Sequence, residues 1–365
     1  MAAKHRLKIL CMVWFLPLYA LSAGLADKYP GYTYVFSEFG VDESYIYDSS
    51  FEHFVLKNEK KIKNFYERSM KKGEKLLPLM KDHLMIDGLS DLFIYISMIE
   101  SGFSPAVVSS KKAVGLWQFM PSTAKHYDLA VCNTVDERCD PVSSTNAAIN
   151  YLRKLNDQFG KWYLAAMAYN CGEGRLEKAI RKAGSDELSI LLDENEKYLP
   201  KETRDYIKKI LLAAMIGENE LLDFDEVKTS GSDPLMQVEV TSGTKLADIA
   251  KLLNIDASDL LALNKQYKNG VIPKEKHLYK IMLPEELMML FYLKYEIKEE
   301  KNVLKPHFIS HYVVMGDTLD SLAKKYETTS EEIKTANKLE DEALTLDALL
   351  LIPVKKELFE KMLSE

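Results

Sequence analysis

One pattern written twice constrains this chain more than any other feature. Gly243, Leu246, Ile249, Ala250 and Asn264 recur as Gly316, Leu319, Leu322, Ala323 and Asn337, at a constant shift of 73 (316 − 243). Each copy opens with a strand-like stretch, Gln237 to Thr241 or Ser310 to Val314. Two short helical patterns follow, and an apolar run closes on proline, Leu278 to Pro284 or Leu349 to Pro353. A strand, two helices and a strand in so few residues make a small α+β (βααβ) module, and two copies make an array. The C-terminal part thus reads as module 1 over 237–284, a helical spacer over 285–309, module 2 over 310–354 and a tail over 355–365. The alternative for this half is a structural extension or a protein-interaction module. A turn-rich linker at 229–236, containing Ser230, Gly231, Ser232 and Pro234, separates it from what precedes.

Upstream of the linker the periodicity is helical throughout. Phe54, Phe65, Met70, Leu76, Leu77, Met80 and Leu84, interleaved with Lys and Glu, suggest two amphipathic helices. Asp140-Pro141 caps a further helix carrying Ala147, Ala148, Tyr151, Leu152 and Leu155. Trp162 to Tyr169 reads as a central buried helix, and Arg204 to Glu218 as the last one. With 365 residues and 47% hydrophobic content there is ample material for a core, and 51–228 is expected to be one all-α domain. Residues 27–50 are rich in Tyr, Gly and Ser without a helical period, and read as an extended lead-in.

The N-terminus carries Lys4, His5, Arg6 and Lys8, then an apolar stretch from Ile9 to Leu21, then Ser22, Ala23, Gly24 and Ala26. That order marks residues 1–26 as a signal peptide cut after Ser22 or Ala26, and the protein as exported to the periplasm or cell envelope. Uncleaved, the segment would anchor the chain at a membrane, although Pro17 and the short run disfavour a span. In an oxidising compartment Cys132 and Cys139, in a polar, turn-rich stretch, are expected to form a disulfide, with two free thiols as the alternative. Cys171 reads as a small buried residue. No metal-binding spacing occurs among the 7 His and 4 Cys, so neither a metal nor a cofactor is expected. The net charge of −7 and the lack of a basic block give no sign of nucleic-acid binding.

The chemistry concentrates in residues 98–123. Ser90-Asp91 is a helix start and Gly102 a stop, so Glu100 falls on the last turn of a short apolar helix. The negative end of the helix dipole and apolar neighbours both raise a carboxyl pKa there, as a general acid requires. Taken alone, such a Glu is more often a solvated terminal residue. Its surroundings alter that balance: Glu100-Ser101, then Ser109, then Gly115-Leu116-Trp117-Gln118-Phe119-Met120-Pro121 resembles the catalytic signature of the lytic transglycosylases. Ala168-Tyr169-Asn170-Cys171-Gly172-Glu173-Gly174 and Pro200-Lys201-Glu202-Thr203-Arg204-Asp205-Tyr206 resemble that family's two later motifs, in the family's order. The repeats resemble LysM domains, which bind chains rich in N-acetylglucosamine. The second fits better, since the first reads Gly243-Thr244-Lys245-Leu246 where Gly-Asp-Thr-Leu is usual, and module 1 counts as degenerate.

The resemblance implies a multidomain chain: an all-α, lysozyme-like catalytic domain followed by two LysM modules. It implies peptidoglycan glycan strands as the polymeric partner and Glu100 as a single acid/base. Ser109, Gln118, Met120, Tyr169, Asn170 and Tyr206 would be the substrate-binding residues, and no cofactor would be involved. Trp117 is left open between core and sugar platform, and Ser101 reads as a local cap. Two rivals stand. One is a hydrolytic muramidase, which needs a second carboxylate that Asp128, Asp140 or Glu173 would have to supply. The other is a non-catalytic peptidoglycan-binding protein.

Overall fold

The computed structural model describes residues 24–222, 234–297, 307–339, 341–355, 358–359 and 361–362. The expected signal peptide therefore lies almost wholly outside the described residues, as do most of the linker and of the C-terminal tail. The chain divides into two compact units, ending and beginning at Tyr295 and Glu296.

The stretch read as an extended lead-in is helical: α1 is Leu25–Lys28, α2 is Tyr32–Phe39, and a single 3-10 turn spans Glu43–Tyr47. Val35, Phe36 and Phe39 are fully buried, with Tyr29, Tyr45 and Ile46 close behind. Its Tyr and Gly suggested turns, but the aromatic rings form an inward face. Phe36 meets Tyr32, Tyr45 and Phe51 edge-on or tilted, and Phe39 meets Phe93. These residues are part of the helical domain's core.

The helices that follow match the sequence pattern. They are α3 (Ser49–Gly73), whose N-cap Asp48 accepts from the amides of Ser50 and Phe51, α4 (Leu77–Ile86) and α5 (Ile94–Ser101). Next come α6 (Pro121–His126) and α7 (Pro141–Phe159), the latter capped by Asp140 through the Ser143 amide. The domain closes with α8 (Trp162–Cys171), α9 (Glu173–Ala183), α10 (Leu188–Leu191) and α11 (Lys201–Leu222). The hub is α11, which packs on α2, α3, α5 and α8. Its Ile207, Ile210, Leu211, Leu212 and Met215 are fully buried, each worth about 1.5–3 kcal/mol relative to exposure.

Module 1 begins at β1 (Leu235–Thr241), runs through α12 (Leu246–Leu253) and α13 (Ala257–Leu263), and returns in β2 (Leu278–Pro284). The two strands pair antiparallel, from Leu235 opposite Pro284 to Thr241 opposite Leu278. Part of the stretch expected as a helical spacer over 285–309 belongs to module 1. Its helix α14 (Met288–Lys294) puts Phe291, 1% exposed, into the module's core beside Leu246, Ile249 and Ile281. Tyr295 follows, its hydroxyl in hydrogen bonds to Thr241 and Thr244. That tyrosine holds the Gly243 turn, where the usual Asp is missing. The module therefore runs to about residue 295, while residues 298–306 of the spacer lie outside the described residues.

Module 2, a unit by itself, repeats the plan: β3 (His307–Tyr312), α15 (Leu319–Lys325), α16 (Ser330–Asn337) and β4 (Leu349–Val354), with β3 antiparallel to β4. The repeated asparagine has one structural job in both copies. Asn264 binds the backbone of Leu260 and Met282, and Asn337 that of Ile333 and Leu351, so each locks helix to strand. Asp317 fastens module 2's Gly316 turn through the Val314 amide and His311.

The expected disulfide is absent: Cys132, Cys139 and Cys171 are free. The loop is closed without it. The Cys132 amide donates to Val135 O at 2.8 Å, and Val131 bridges to Asp136. Cys132 is exposed with its thiol against Thr134, whereas Cys139 is buried and its pKa pushed up to about 11 by that burial. Hydrogen bonds from Thr134 and Val135 lower that of Cys132, so it should alkylate first in the native protein without reductant, and Cys139 only on unfolding. Peptide mass mapping checks this; a Cys132–Cys139 cross-link blocking both would refute it.

Candidate active site

Glu100 sits where the sequence placed it. Ser90 accepts from the Leu92 amide at the helix start, and Gly102 takes the left-handed conformation that ends α5 (φ 57°). The carboxyl is half-buried, and Tyr206 from α11 donates to its Oε1 at 2.7 Å. Burial pushes its pKa up to about 7, the Tyr206 hydrogen bond pulls the other way, and the charge of Glu202 adds to the rise. Glu100 is thus balanced between acid and carboxylate near neutrality. Tyr206→Phe removes the one lowering influence, so the Glu100 pKa should climb further; carbon-detected titration of the carboxyl follows it, and an unmoved midpoint would contradict the assignment.

The segment carrying Gly115 to Met120 is strapped to α5 by two serines. Ser97 and Ser101 both donate to Leu116 O, at 2.9 and 2.8 Å. Ser101 is therefore a tether between helix and loop more than a cap. Trp117 resolves as core, fully buried with its indole N–H donating to Thr145 Oγ1 at 3.0 Å. Tyr169 reaches over from α8, and its hydroxyl donates to Trp117 O at 2.7 Å. Gln118 has a left-handed backbone (φ 50°), and its amide nitrogen donates to Gly115 O and Val107 O. Met120 is 41% exposed at the start of α6. Ser109 closes a turn, its hydroxyl accepting from the Ala113 amide at 3.0 Å. Asn170 Oδ1 accepts from Thr203 Oγ1 at 2.9 Å, joining α8 to α11.

Of the seven residues the sequence singled out, Glu100 and Tyr206 are in direct contact, and the Tyr169 pKa is raised first by burial and then by the charge of Glu100. Tyr169, Asn170, Gln118 and Ser109 each hold backbone or a neighbouring side chain in place. The sequence does not single out Ser97, Thr203 and Glu202, which also support the site. The latter two lie inside a quoted motif, so their position was a usable signal; Ser97 had none. Among the carboxylates named for a muramidase, Asp140 caps α7 and accepts from Gln266, and Glu173 pairs with Lys154. Among the described residues no His, Cys, Asp or Glu cluster could hold a metal ion.

A helical domain with a near-neutral glutamate at a helix end, strapped to a Gly-Leu-Trp-Gln-Phe-Met-Pro loop, defines the SLT-type transglycosylase class, and residues 83–191 match the family model "Transglycosylase SLT domain". Residues 235–298 match "Lytic transglycosylase MltD, LysM-like domain", which takes in α14 as the structure does, and residues 311–353 match "LysM domain". The chain thus carries an SLT-type transglycosylase domain followed by two LysM-type modules. It is 31% identical over 256 residues to membrane-bound lytic murein transglycosylase D of Escherichia coli K12, covering 67% of this chain and 56% of that protein. The chain thus spans a little over half the length of that relative. Over 117 residues it is 30% identical to the soluble lytic murein transglycosylase of the same organism, 31% of this chain and 18% of that one. The crystal structure of lytic transglycosylase Slt from Pseudomonas aeruginosa aligns with a TM-score of 0.34 and 25% identity, over 42% of this chain and 25% of that one.

Proposed function

We propose that this protein cleaves the β-1,4 bond between N-acetylmuramic acid and N-acetylglucosamine in peptidoglycan without consuming water. The observation that carries the reading is Glu100: half-buried, bonded to Tyr206, with a pKa of about 7. Protonated, it donates to the glycosidic oxygen as the bond to C1 breaks. The resulting carboxylate then takes the proton of the muramic acid's own C6 hydroxyl, whose oxygen bonds to C1. The products are a free 4-hydroxyl on the departing sugar and a 1,6-anhydromuramic end, and Glu100 recovers its proton. Tyr206 steadies the carboxylate between the two steps. Met120 offers an exposed apolar contact, and Ser109, Gln118, Tyr169 and Asn170 shape the sugar-facing loops around it.

Module 2 is the better candidate for holding glycan, with Tyr312, Val314 and Met315 exposed around the Gly316 turn. Residues 1–22 would act as an export signal for the cell envelope. Cleavage after Ser22 leaves Leu25, which is buried in the core, whereas cleavage after Ala26 would remove it. Among the described residues no helix is long and apolar enough to cross a membrane.

Mass spectrometry of digested, purified peptidoglycan tests the reaction. Anhydro ends, one water lighter than reducing ends, are the expected result. Reducing ends would point instead to hydrolysis with Glu202, whose charge acts on Glu100, as the second carboxylate. Binding without cleavage would leave a glycan-binding protein.

A further inference from the structure

Residues 131–140 take no part in the chemistry above, yet they connect the catalytic loop to module 1. Asp136 grips Arg138 with both oxygens, Oδ1 to Nε at 2.8 Å and Oδ2 to Nη2 at 2.7 Å, and both side chains are buried. A buried ion pair adds little net stability, so what it holds matters more than its strength. Arg138 Nη1 donates to Lys112 O and Phe119 O, each at 3.2 Å, and so spans the base of the catalytic loop. Within that span Lys112 and Gln118 adopt left-handed backbones (φ 66° and 50°). Non-glycine residues persist in that region only where their surroundings leave no alternative.

The other side of the same strut belongs to module 1. The Asp136 amide donates to Gln266 O at 2.9 Å, the Lys268 amide to Thr134 O at 3.1 Å, and Val135 bridges to Tyr267. Gln266 Nε2 donates to Asp140 Oδ2 at 3.0 Å, and Lys268 Nζ to Cys132 O at 2.6 Å. Val135 is buried within module 1's own core. Gln266 even leaves its Oε1 buried without a partner to make this contact. At the repeat shift of 73, module 2 has Leu339 for Gln266 and Asp341 for Lys268, so the docking chemistry is particular to module 1.

We infer that module 1 is a brace for the catalytic loop, acting through Gln266, whose carbonyl holds the Asp136 amide and whose side chain holds Asp140, on the segment that carries the Asp136–Arg138 pair, and that Arg138, Asp136 and Gln266 are positioning residues for substrate binding. The effect on turnover rests on the proposed cleavage; the effect on the loop does not. The test uses the full chain with Gln266→Leu, and Arg138→Lys, which keeps the charge but not the fork. Hydrogen exchange at the Gly115, Gln118 and Phe119 amides should quicken about tenfold while α11 stays protected. On soluble glycan fragments KM should rise about three- to tenfold with kcat held, because saturating substrate reselects the competent loop. Unchanged exchange at those amides overturns the brace. So does a fall in kcat and Tm together with constant KM, the mark of plain destabilisation. If Arg138→Lys fails to fold, Gln266→Leu still decides the matter. A parent protein that cleaves nothing defeats the proposed function, while exchange still reports on the brace.

Discussion

Glu100→Gln should abolish turnover, by at least about 10³-fold, and yield a protein more stable than the parent above neutral pH. Both effects come from one carboxyl. As acid and then base in the proposed reaction, it leaves no group to share the work when it becomes an amide. Its stability effect follows from linkage. The native pKa of about 7 lies above the ordinary 4.5, so the folded state holds the proton more tightly than the unfolded one. The associated stability is fully present below pH 4.5 and is lost as pH rises through 7. At pH 8 the ionised, half-buried carboxylate costs on the order of 3 kcal/mol, and the glutamine does not ionise. Tyr206 can still donate to the amide oxygen, so the geometry survives. Melting temperatures of parent and variant between pH 4 and 8 should therefore diverge as pH rises, the variant melting higher; parallel curves would sink the claim. Parent activity should also decline above pH 7 as the proton donor is lost. Retained turnover by the variant would remove Glu100 from the mechanism.

What the sequence could and could not reveal divides along physical lines. The span ending at Glu100 was legible because both its signals are local: Ser90 caps the 3-10 turn Asp91–Phe93 that leads into α5, and Gly102 stops the helix. The Glu100–Tyr206 contact joins residues far apart in the chain, and only the recurrence of three motifs in order brought them together. The other site residues were named but their partners were not. Tyr169 bonds Trp117 O and Gln118 bonds Gly115 O, and a backbone carbonyl carries no residue-type signature. The lead-in failed for a different reason: over so short a stretch, Tyr and Phe packed on one another look like turn composition until the core they face is known. The spacer is similar: only Phe291 of α14 is fully buried in module 1, and its neighbours Leu287, Met288 and Leu290 are only partly covered. At Cys132 and Cys139 the spacing permits a bridge, but a backbone turn and Lys268 already close the loop.

Gly115→Ala is expected to be the most damaging single methyl group in the catalytic loop. A Cβ there would lie 1.8 Å from Arg138 O and 2.8 Å from its carbonyl carbon, and the residue's φ is +88°. The left-handed backbone alone costs alanine about 1–2 kcal/mol. The clash is worse, because the obstacle is main chain and no rotamer change relieves it. Arg138 is moreover held by Asp136, Lys112 O and Phe119 O, so the loop has to give way instead. Leu116 then withdraws from Ser97 and Ser101, and the segment leading to Met120 loses its register against Glu100. The expected loss exceeds about 4 kcal/mol, or the loop detaches and activity goes with it. Gly160→Ala supplies the control: its φ is +75°, yet nothing lies within 4 Å of the added carbon. That variant should lose only the backbone part, about 1 kcal/mol. Urea denaturation of the two side by side isolates the clash. Equal midpoints would mean that Arg138 O does not bear on the loop, and would weaken the strut from Asp136 to Gly115 on which the loop's geometry depends.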